Sequence, residues 1–233
     1  MWQHTDKERF HTAPAERAVR SDSYAGTFGA SASGVPLFIL NDFLYGMKPT
    51  RIMKFLPCHI SSEQMLSEEV CKDLIEQYDS KAKRAGISSQ GVRNASIRKT
   101  SAIGINIEDS IELNDCITEC YLTNNKYWGY ETLGRIEIKF LKYNIGGHYD
   151  WHIDIGSDRH NNRKLAFVIP LSNPEDYEGG ELIVKTSSRD SSIPLEQGKI
   201  IMFPAFLLHK VTPVTHGKRY VIAGWLNGKE HFV

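Results

Sequence analysis

The sequence predicts an α+β protein in which helices come first and a β-rich region follows. Two helix-like segments with apolar positions lie before residue 130, and short runs of Ile, Val, Phe and Tyr, separated by Gly, Pro and Asn, follow Arg135. Strands that come after helices rather than between them indicate an antiparallel sandwich or an open barrel with helices packed outside. With 233 residues and 41% hydrophobic side chains, the chain can bury one large core.

The charge balance argues against a general surface for binding polyanions. Lys and Arg number 28, Asp and Glu also number 28, and the formal net charge is +0, so any site for nucleic acid or anionic lipid has to be local. No apolar run is long enough to span a bilayer, and the N-terminus lacks the pattern of a secretory signal. With four scattered cysteines, interpreted as reduced thiols, these features predict a cytoplasmic protein without a membrane partner.

We expect residues 1–50 to form an N-terminal arm, flexible or packed on the surface, and residues 51–233 to form a single domain. The first 34 residues are rich in Ala, Ser, Gly and Arg and have no sustained apolar period, as is typical of a mobile arm. Residues 52–60 have the composition of a first strand.

Two helices are predicted in front of the β-rich region. In the first, Ser67 supplies an N-cap before two acidic residues, the basic run at 81–84 suits the C-terminal end, and Gly86 ends the helix. The second covers residues near 108 to 126. Its candidate buried positions are Ile111, Cys116, Ile117 and Tyr121.

The segment 148–154 alternates polar and bulky residues with a period of two. In a strand, His148, Asp150, His152 and Asp154 would share one face. Burying so many ionisable groups is costly unless the face lines a wet cavity or binds a metal. The alternative is an edge strand with a solvated polar face.

A second histidine, His209, ends the apolar run that begins at Phe203. Taken alone, it has the pattern of a hydrogen-bonded core residue. Together with His152 and Asp154 it forms the set of two imidazoles and one carboxylate that binds non-haem iron(II) and leaves coordination positions open.

A basic residue lies in apolar company near the C-terminal end. Arg219 follows His209 and precedes the strand-like run to Trp225. A buried guanidinium is costly without an anion, and the planar arrangement of its N–H groups suits a carboxylate. Lys218 competes for this role because strand alternation lets only one of the two face inward. An exposed, salt-bridged arginine is the alternative.

Taken in order, these residues resemble a known family. His152-x-Asp154, followed by His209 and Arg219, is similar to the iron(II)- and 2-oxoglutarate-dependent dioxygenases, and more narrowly to their prolyl 4-hydroxylase-like branch, which includes PKHD-type hydroxylases. The resemblance covers about residues 95–228. Its further matches are the Tyr143 to Tyr149 segment, the Leu171 to Leu182 segment and the His209 to Tyr220 segment.

The resemblance implies a double-stranded β-helix, or jelly roll, over about residues 133–228. It implies iron(II) at His152, Asp154 and His209, and 2-oxoglutarate, with Arg219 at the distal carboxylate and Tyr143 as a hydrogen-bond donor. Dioxygen is the further cosubstrate, and L-ascorbate is a candidate cofactor. No other side chain is assigned a catalytic role.

The resemblance also indicates the reaction, hydroxylation of a C–H bond, with a peptidyl proline as the leading substrate and a peptide or protein as partner. The first alternative is a hydroxylase of a free amino acid or another small molecule, and the second is a non-catalytic metal-binding jelly roll. The stretch with Arg93, Arg98 and Lys99 could border the substrate groove or form a solvated linker. Its basic residues leave a nucleobase or an acidic peptide open as the substrate, but the stretch lacks interleaved aromatic residues, so nucleic acid is disfavoured.

Overall fold

The computed structural model describes residues 57–86, 92–107, 110–156, 160–186 and 189–230. The predicted arm and most of the predicted first strand lie outside these ranges, so the domain boundary stays a prediction. The helices are α1 (Glu68–Tyr78) and α2 (Ile111–Tyr127), with a short 3-10 helix at Pro174–Asp176. The strands, in chain order, are β1 (His59–Ile60), β2 (Lys83–Arg84), β3 (Arg98–Lys99), β4 (Ser101–Gly104), β5 (Thr132–Tyr143), β6 (His148–His152), β7 (Arg163–Pro170), β8 (Tyr177–Gly179), β9 (Leu182–Thr186), β10 (Arg189–Ile193), β11 (Ile201–Pro204), β12 (His209–Val211), β13 (Val214–Gly217) and β14 (Arg219–Gly228).

Both helices begin at a serine cap. The Ser67 hydroxyl accepts a hydrogen bond from the Val70 backbone, and the Ser110 hydroxyl accepts one from the Leu113 backbone, which satisfies amides that no helix carbonyl reaches. Helix α1 ends at Tyr78, earlier than the expected end at Gly86. The basic run that follows it pairs its main chain with β4 and forms β2 instead.

Helix α2 confirms two of its four expected buried positions. Cys116 and Ile117 are buried, and Tyr121 is partly buried against the same core. The prediction for Ile111 is wrong, since its side chain is 79% exposed. Ile111 is the first residue of the helix, and Leu113 occupies the inward side of that turn.

The strands of the described residues form three antiparallel sheets, in agreement with the α+β class. The expectation that strands only follow the helices is wrong, since β1 to β4 precede α2 and pair within these sheets. The larger sheet has the order β1-β11-β7-β14-β5-β4-β2, the smaller has the order β10-β9-β12-β6-β3, and β13 pairs with β8. The six predicted strand runs correspond to β5, β6, β7, β9, β11 and β14. The three- to five-residue strands between them, β8, β10, β12 and β13, have no long apolar run that marks them in the sequence.

The larger sheet separates two apolar cores. Ile222 and Leu226 of β14 pack in the cluster that includes the helices, whereas Val221 and Trp225 pack in the cluster between the sheets. This alternation is the ordinary consequence of strand geometry. It also places Arg219, two residues before Val221, on the face between the sheets.

Candidate active site

The three expected metal ligands come together at one end of the smaller sheet. His152 and His209 lie directly opposite each other on β6 and β12. The backbone amide of Asp154 donates to the carbonyl of Ala205 at 2.8 Å, so the chain after β6 stays beside the segment that leads to β12. One ligand atom from each of the three side chains lies within 4.8 Å of the others.

Hydrogen bonds to main-chain carbonyls orient both imidazole rings. Nδ1 of His152 lies 2.7 Å from the Asp150 carbonyl, and Nδ1 of His209 lies 2.8 Å from the Leu207 carbonyl. A carbonyl can only accept, so each Nδ1 carries the proton and each Nε2 keeps its lone pair. The two Nε2 atoms face the Asp154 carboxylate at 3.8 and 3.7 Å.

Burial and neighbouring charges determine the protonation of His152 and Asp154. Burial lowers the pKa of His152 to about 3, and neighbouring His209 adds to this shift, so the His152 ring is neutral near pH 7. Burial alone raises the pKa of Asp154, but the two histidines beside it bring that pKa below its usual value. The site therefore presents a carboxylate and a neutral imidazole, the forms that bind a metal.

The prediction that His148, Asp150, His152 and Asp154 share one face is wrong, because β6 contains a bulge. His209 is opposite His152, whereas Val211 is opposite Tyr149, so a step of two positions along β12 matches a step of three along β6. As a result Tyr149 lies beside His152 in the cavity, and Asp150 is exposed. His148 instead lies near the carbonyls of Gly146 and Ser96, at 3.0 and 3.2 Å from its two ring nitrogens, and is not part of the site.

Arg219, not Lys218, faces the interior. The Arg219 side chain is 1% exposed, and its Nε and Nη1 have no hydrogen-bond partner among the described residues. Its guanidinium carbon lies 4.9 Å from the ring centre of Tyr143, which is also buried. Lys218 is exposed.

One cavity contains all of these groups. It has a volume of about 420 Å³, and its lining includes the three candidate ligands, Arg219 and Tyr143. A buried cation with unsatisfied donors is costly unless an anion joins it. The cavity therefore suits a divalent metal at the three candidate ligands and an anionic group beside Arg219.

Two polar cavity residues that contact the candidate ligands, Tyr149 and Arg163, were not predicted as part of the site. The guanidinium of Arg163 donates to the Asp154 carbonyl at 3.2 Å, pairs with Glu137 at 2.5 Å and lies 3.8 Å from the ring centre of Trp225. Arg163 thus holds the main chain at Asp154, the candidate carboxylate ligand. The Tyr-x-x-His spacing of Tyr149 and His152 was visible in the sequence, but only the bulge brings the two side chains together.

Comparison with known proteins assigns this arrangement to a family. Residues 138–227 match the model of the 2OG-Fe(II) oxygenase superfamily. A PKHD-type hydroxylase of Herminiimonas arsenicoxydans is 30% identical over 181 residues, which are 75% of this chain and 78% of that protein. The chain belongs to the 2OG-Fe(II) oxygenases of the PKHD type. Iron(II) and 2-oxoglutarate are the cofactor and cosubstrate of this family, in agreement with the sequence-based prediction.

Two other PKHD-type relatives are matched over a smaller share. One from Synechococcus sp. (strain CC9605) is 30% identical, covering 61% of this chain and 65% of that protein. One from Prochlorococcus marinus (strain NATL1A) is 33% identical, covering 60% of this chain and 64% of that protein. The matched region is thus slightly under two thirds of the length of these two relatives.

Solved structures confirm the expected double-stranded β-helix. A prolyl-4-hydroxylase of Pseudomonas putida superimposes with a TM-score of 0.61 at 17% identity, covering 75% of this chain and 94% of that one. A Trichoplax adhaerens prolyl hydroxylase in complex with a hypoxia inducible factor peptide fragment gives 0.61 at 19% identity, covering 74% and 84%. This PKHD-type chain has no membrane-spanning candidate among its described helices. Ascorbate binding and a cytoplasmic location stay predictions.

Proposed function

We propose that the chain is an iron(II)- and 2-oxoglutarate-dependent dioxygenase that hydroxylates a C–H bond, with a peptidyl proline as its substrate. The observation that carries the proposal is Arg219, a buried guanidinium with two unsatisfied nitrogens in the cavity of the candidate metal ligands. A metal with a purely structural role needs no such cation. The non-catalytic jelly roll is disfavoured for this reason.

Each residue of the site has a distinct role in this proposal. His152, Asp154 and His209 hold the metal from one side and leave the cavity side free for other ligands. Arg219 pairs with the distal carboxylate of 2-oxoglutarate, and Tyr143, packed beneath its guanidinium, donates a hydrogen bond to the same molecule. When bound, iron(II) and 2-oxoglutarate supply the oxidising chemistry, in which one oxygen atom of O2 enters the substrate and the other enters succinate, with release of carbon dioxide.

Support for the substrate comes from the family and from the fold. The relatives in the curated set are PKHD-type hydroxylases, and the solved structures above are prolyl hydroxylases, one of them with a bound peptide. This similarity supports a peptide or protein as the partner. Hydroxylation of a free amino acid or of another small molecule is the second candidate, since the same iron site serves either substrate.

The decisive experiment is an anaerobic titration of the metal-free protein. Iron(II) and 2-oxoglutarate are added while the weak visible metal-to-ligand charge-transfer band is recorded. The band is expected in the unaltered protein, absent in His152→Ala and weakened in Arg219→Ala. His148→Ala is the matched control, because His148 lies on the same strand outside the site, and it should keep the band. Iron binding without any band would overturn the 2-oxoglutarate assignment.

A second measurement separates the two substrate classes. Succinate formation is followed with a panel of proline-containing peptides and, in parallel, with free amino acids. Peptides should increase succinate release above the rate without substrate, and the peptide should gain the mass of one oxygen atom. Stimulation by a free amino acid alone would favour the second candidate.

A further inference from the structure

Arg98 is a second arginine of the cavity, and the proposed reaction does not use it. It lies on β3 at the edge of the smaller sheet, opposite Tyr149 of β6. Its guanidinium carbon lies 4.5 Å from the centre of the Tyr149 ring, and that ring stacks on His152 with 3.5 Å between ring centres. Only the thickness of one phenol ring therefore separates this cation from a candidate iron ligand.

No carboxylate neutralises Arg98 among the described residues. Its Nη1 donates to the carbonyl of Gly86 at 3.0 Å, and its Nε is buried without a partner. The ion pairs of the described residues do not include Arg98. Apart from Arg219, the other cations of the cavity differ from Arg98, since Arg163 is paired with Glu137, and Lys139, which shares that carboxylate, is 31% exposed to water.

The charges of the proposed iron complex balance without Arg98. The two positive charges of iron(II) and the one of Arg219 are matched by the two carboxylates of 2-oxoglutarate and the one of Asp154. Arg98 is then left as an uncompensated, partly desolvated cation that lines the same cavity. Such a group gains most from an anion that the substrate brings.

The strands β2 and β3 next to Arg98 carry further positive charges. The carbonyl of Gly86 accepts from Arg98, and the amide of Ala85 donates to Thr100, so β2 and β3 meet at this side of the cavity. Lys83, Arg84 and Lys99 on these strands are in no ion pair among the described residues, and residues 80–107 contain no Asp or Glu. Clustered charge of one sign favours binding of the opposite sign.

We propose that the substrate is a peptide with an acidic side chain near the hydroxylated residue, and that Arg98 binds this carboxylate. The proposal rests on the proposed function and specifies its substrate. The Tyr149 ring separates Arg98 from the iron ligand, and an extended chain advances about 3.3 Å per residue. The acidic residue therefore lies within about three positions of the hydroxylated one, and the exposed lysines and arginine of β2 and β3 contact the flanking chain.

The test compares two libraries of short, fluorescein-labelled peptides with a central proline. One carries Asp and Glu at the randomised flanking positions, and the other carries Asn and Gln. Binding to the full chain with iron(II) and 2-oxoglutarate is measured by fluorescence anisotropy without oxygen. The acidic library should bind about tenfold more tightly, the strength of a charge-assisted hydrogen bond, and the preference should shrink as salt is added.

Three variants test whether Arg98 causes the preference for the acidic library. Arg98→Gln should bring the ratio of the two affinities close to one, and Arg98→Lys should restore part of it. Arg189→Gln is the matched control because Arg189 is exposed on β10, the opposite edge strand of the same sheet, and it should keep the full ratio. The comparison of the two libraries on the unaltered protein needs no variant. It therefore tests the preference for acidic peptides even if Arg98→Gln does not fold.

Equal binding of the two libraries, or no binding of either, overturns the inference. The proposed function is judged separately by the charge-transfer band, which requires iron(II) and 2-oxoglutarate but no peptide. A single-stranded oligodeoxythymidylate provides the last comparison. If it displaces the acidic library at a lower concentration than unlabelled acidic peptide does, a phosphate backbone is the ligand and the peptide proposal is wrong.

Discussion

The phenol ring of Tyr149 stacks on the imidazole ring of His152, with 3.5 Å between ring centres and 15° between ring planes. The bulge in β6 produces this contact by placing both side chains on the cavity side of the strand. With the Nδ1 hydrogen bond to the Asp150 carbonyl, the stack restricts rotation of the His152 ring. The direction of its Nε2 lone pair is therefore set before any metal binds.

Removing the Tyr149 ring should weaken iron binding. Tyr149→Ala is expected to lower iron(II) affinity about tenfold, the lower end of the range for residues that orient metal ligands, because the imidazole is then free to turn. Tyr149→Phe keeps the stacked ring and should keep the affinity. Anaerobic iron titration measures both. Equal affinities for Tyr149→Ala and the unaltered protein would show that the hydrogen bond alone orients His152.

The burial of Arg219 and the exposure of Lys218 predict opposite outcomes for two neighbouring substitutions. Arg219→Gln should weaken 2-oxoglutarate binding about a hundredfold, since it leaves a carboxylate without its buried partner. Lys218→Gln should leave the affinity unchanged. Titration of the iron-loaded protein with 2-oxoglutarate gives both values. A large effect of Lys218→Gln would assign the cosubstrate carboxylate to the lysine.

Gly180 lies directly against Arg219. A Cβ atom at Gly180 would come within 2.8 Å of Cδ of Arg219, and the backbone φ of +63° is one that side chains rarely adopt. Gly180→Ala should therefore cost about 1 kcal/mol of stability and also displace the guanidinium, so that 2-oxoglutarate binds several-fold more weakly.

Gly134 provides the matched control for this substitution. Its φ is +68°, but a Cβ atom there would meet nothing within 4 Å. Gly134→Ala should show a similar loss of stability in chemical unfolding with no change in 2-oxoglutarate affinity. A weaker affinity in both variants would attribute the effect to backbone strain rather than to Arg219.

Glu137 should make stability depend on acid pH. Its burial acts to raise its pKa, but hydrogen bonds and charges from Lys139 and Arg163 outweigh this and lower the pKa to about 2 from 4.5. A lowered pKa contributes stability that is complete above the unfolded value near pH 4.5 and is lost as the pH falls toward 2. The contribution near pH 7 is about 2 kcal/mol once solvent screening of its partly exposed carboxylate is considered.

Chemical unfolding of the metal-free protein between pH 7 and pH 3 checks this expectation. Glu137→Gln should be less stable than the unaltered protein at pH 7, and the difference should narrow at pH 3. Glu196→Gln serves as the control, because Glu196 pairs with Lys199 at the surface, where an ion pair contributes little. A constant difference across the pH range would contradict the assigned cause.

Local signals were sufficient for part of the structure. The caps Ser67 and Ser110 form hydrogen bonds to nearby amides, so the start of each helix depends on a few adjacent residues. The long strands could be recognised because their apolar runs are buried over most of their length. The prediction that Lys83 and Arg84 are helical is wrong because their conformation is determined by pairing with β4, which is distant in the chain.

The sequence by itself determined the fold class and the order of the candidate site residues, His152, Asp154, His209 and then Arg219. These depend on residue type and spacing, which a chain carries whether or not it is folded. Only the tertiary structure decided that Arg219 rather than Lys218 faces inward, that a bulge brings Tyr149 to His152, and that β3 brings Arg98 to the same cavity. Each of these results depends on strand register, and register is set by cooperative packing between segments far apart in the chain.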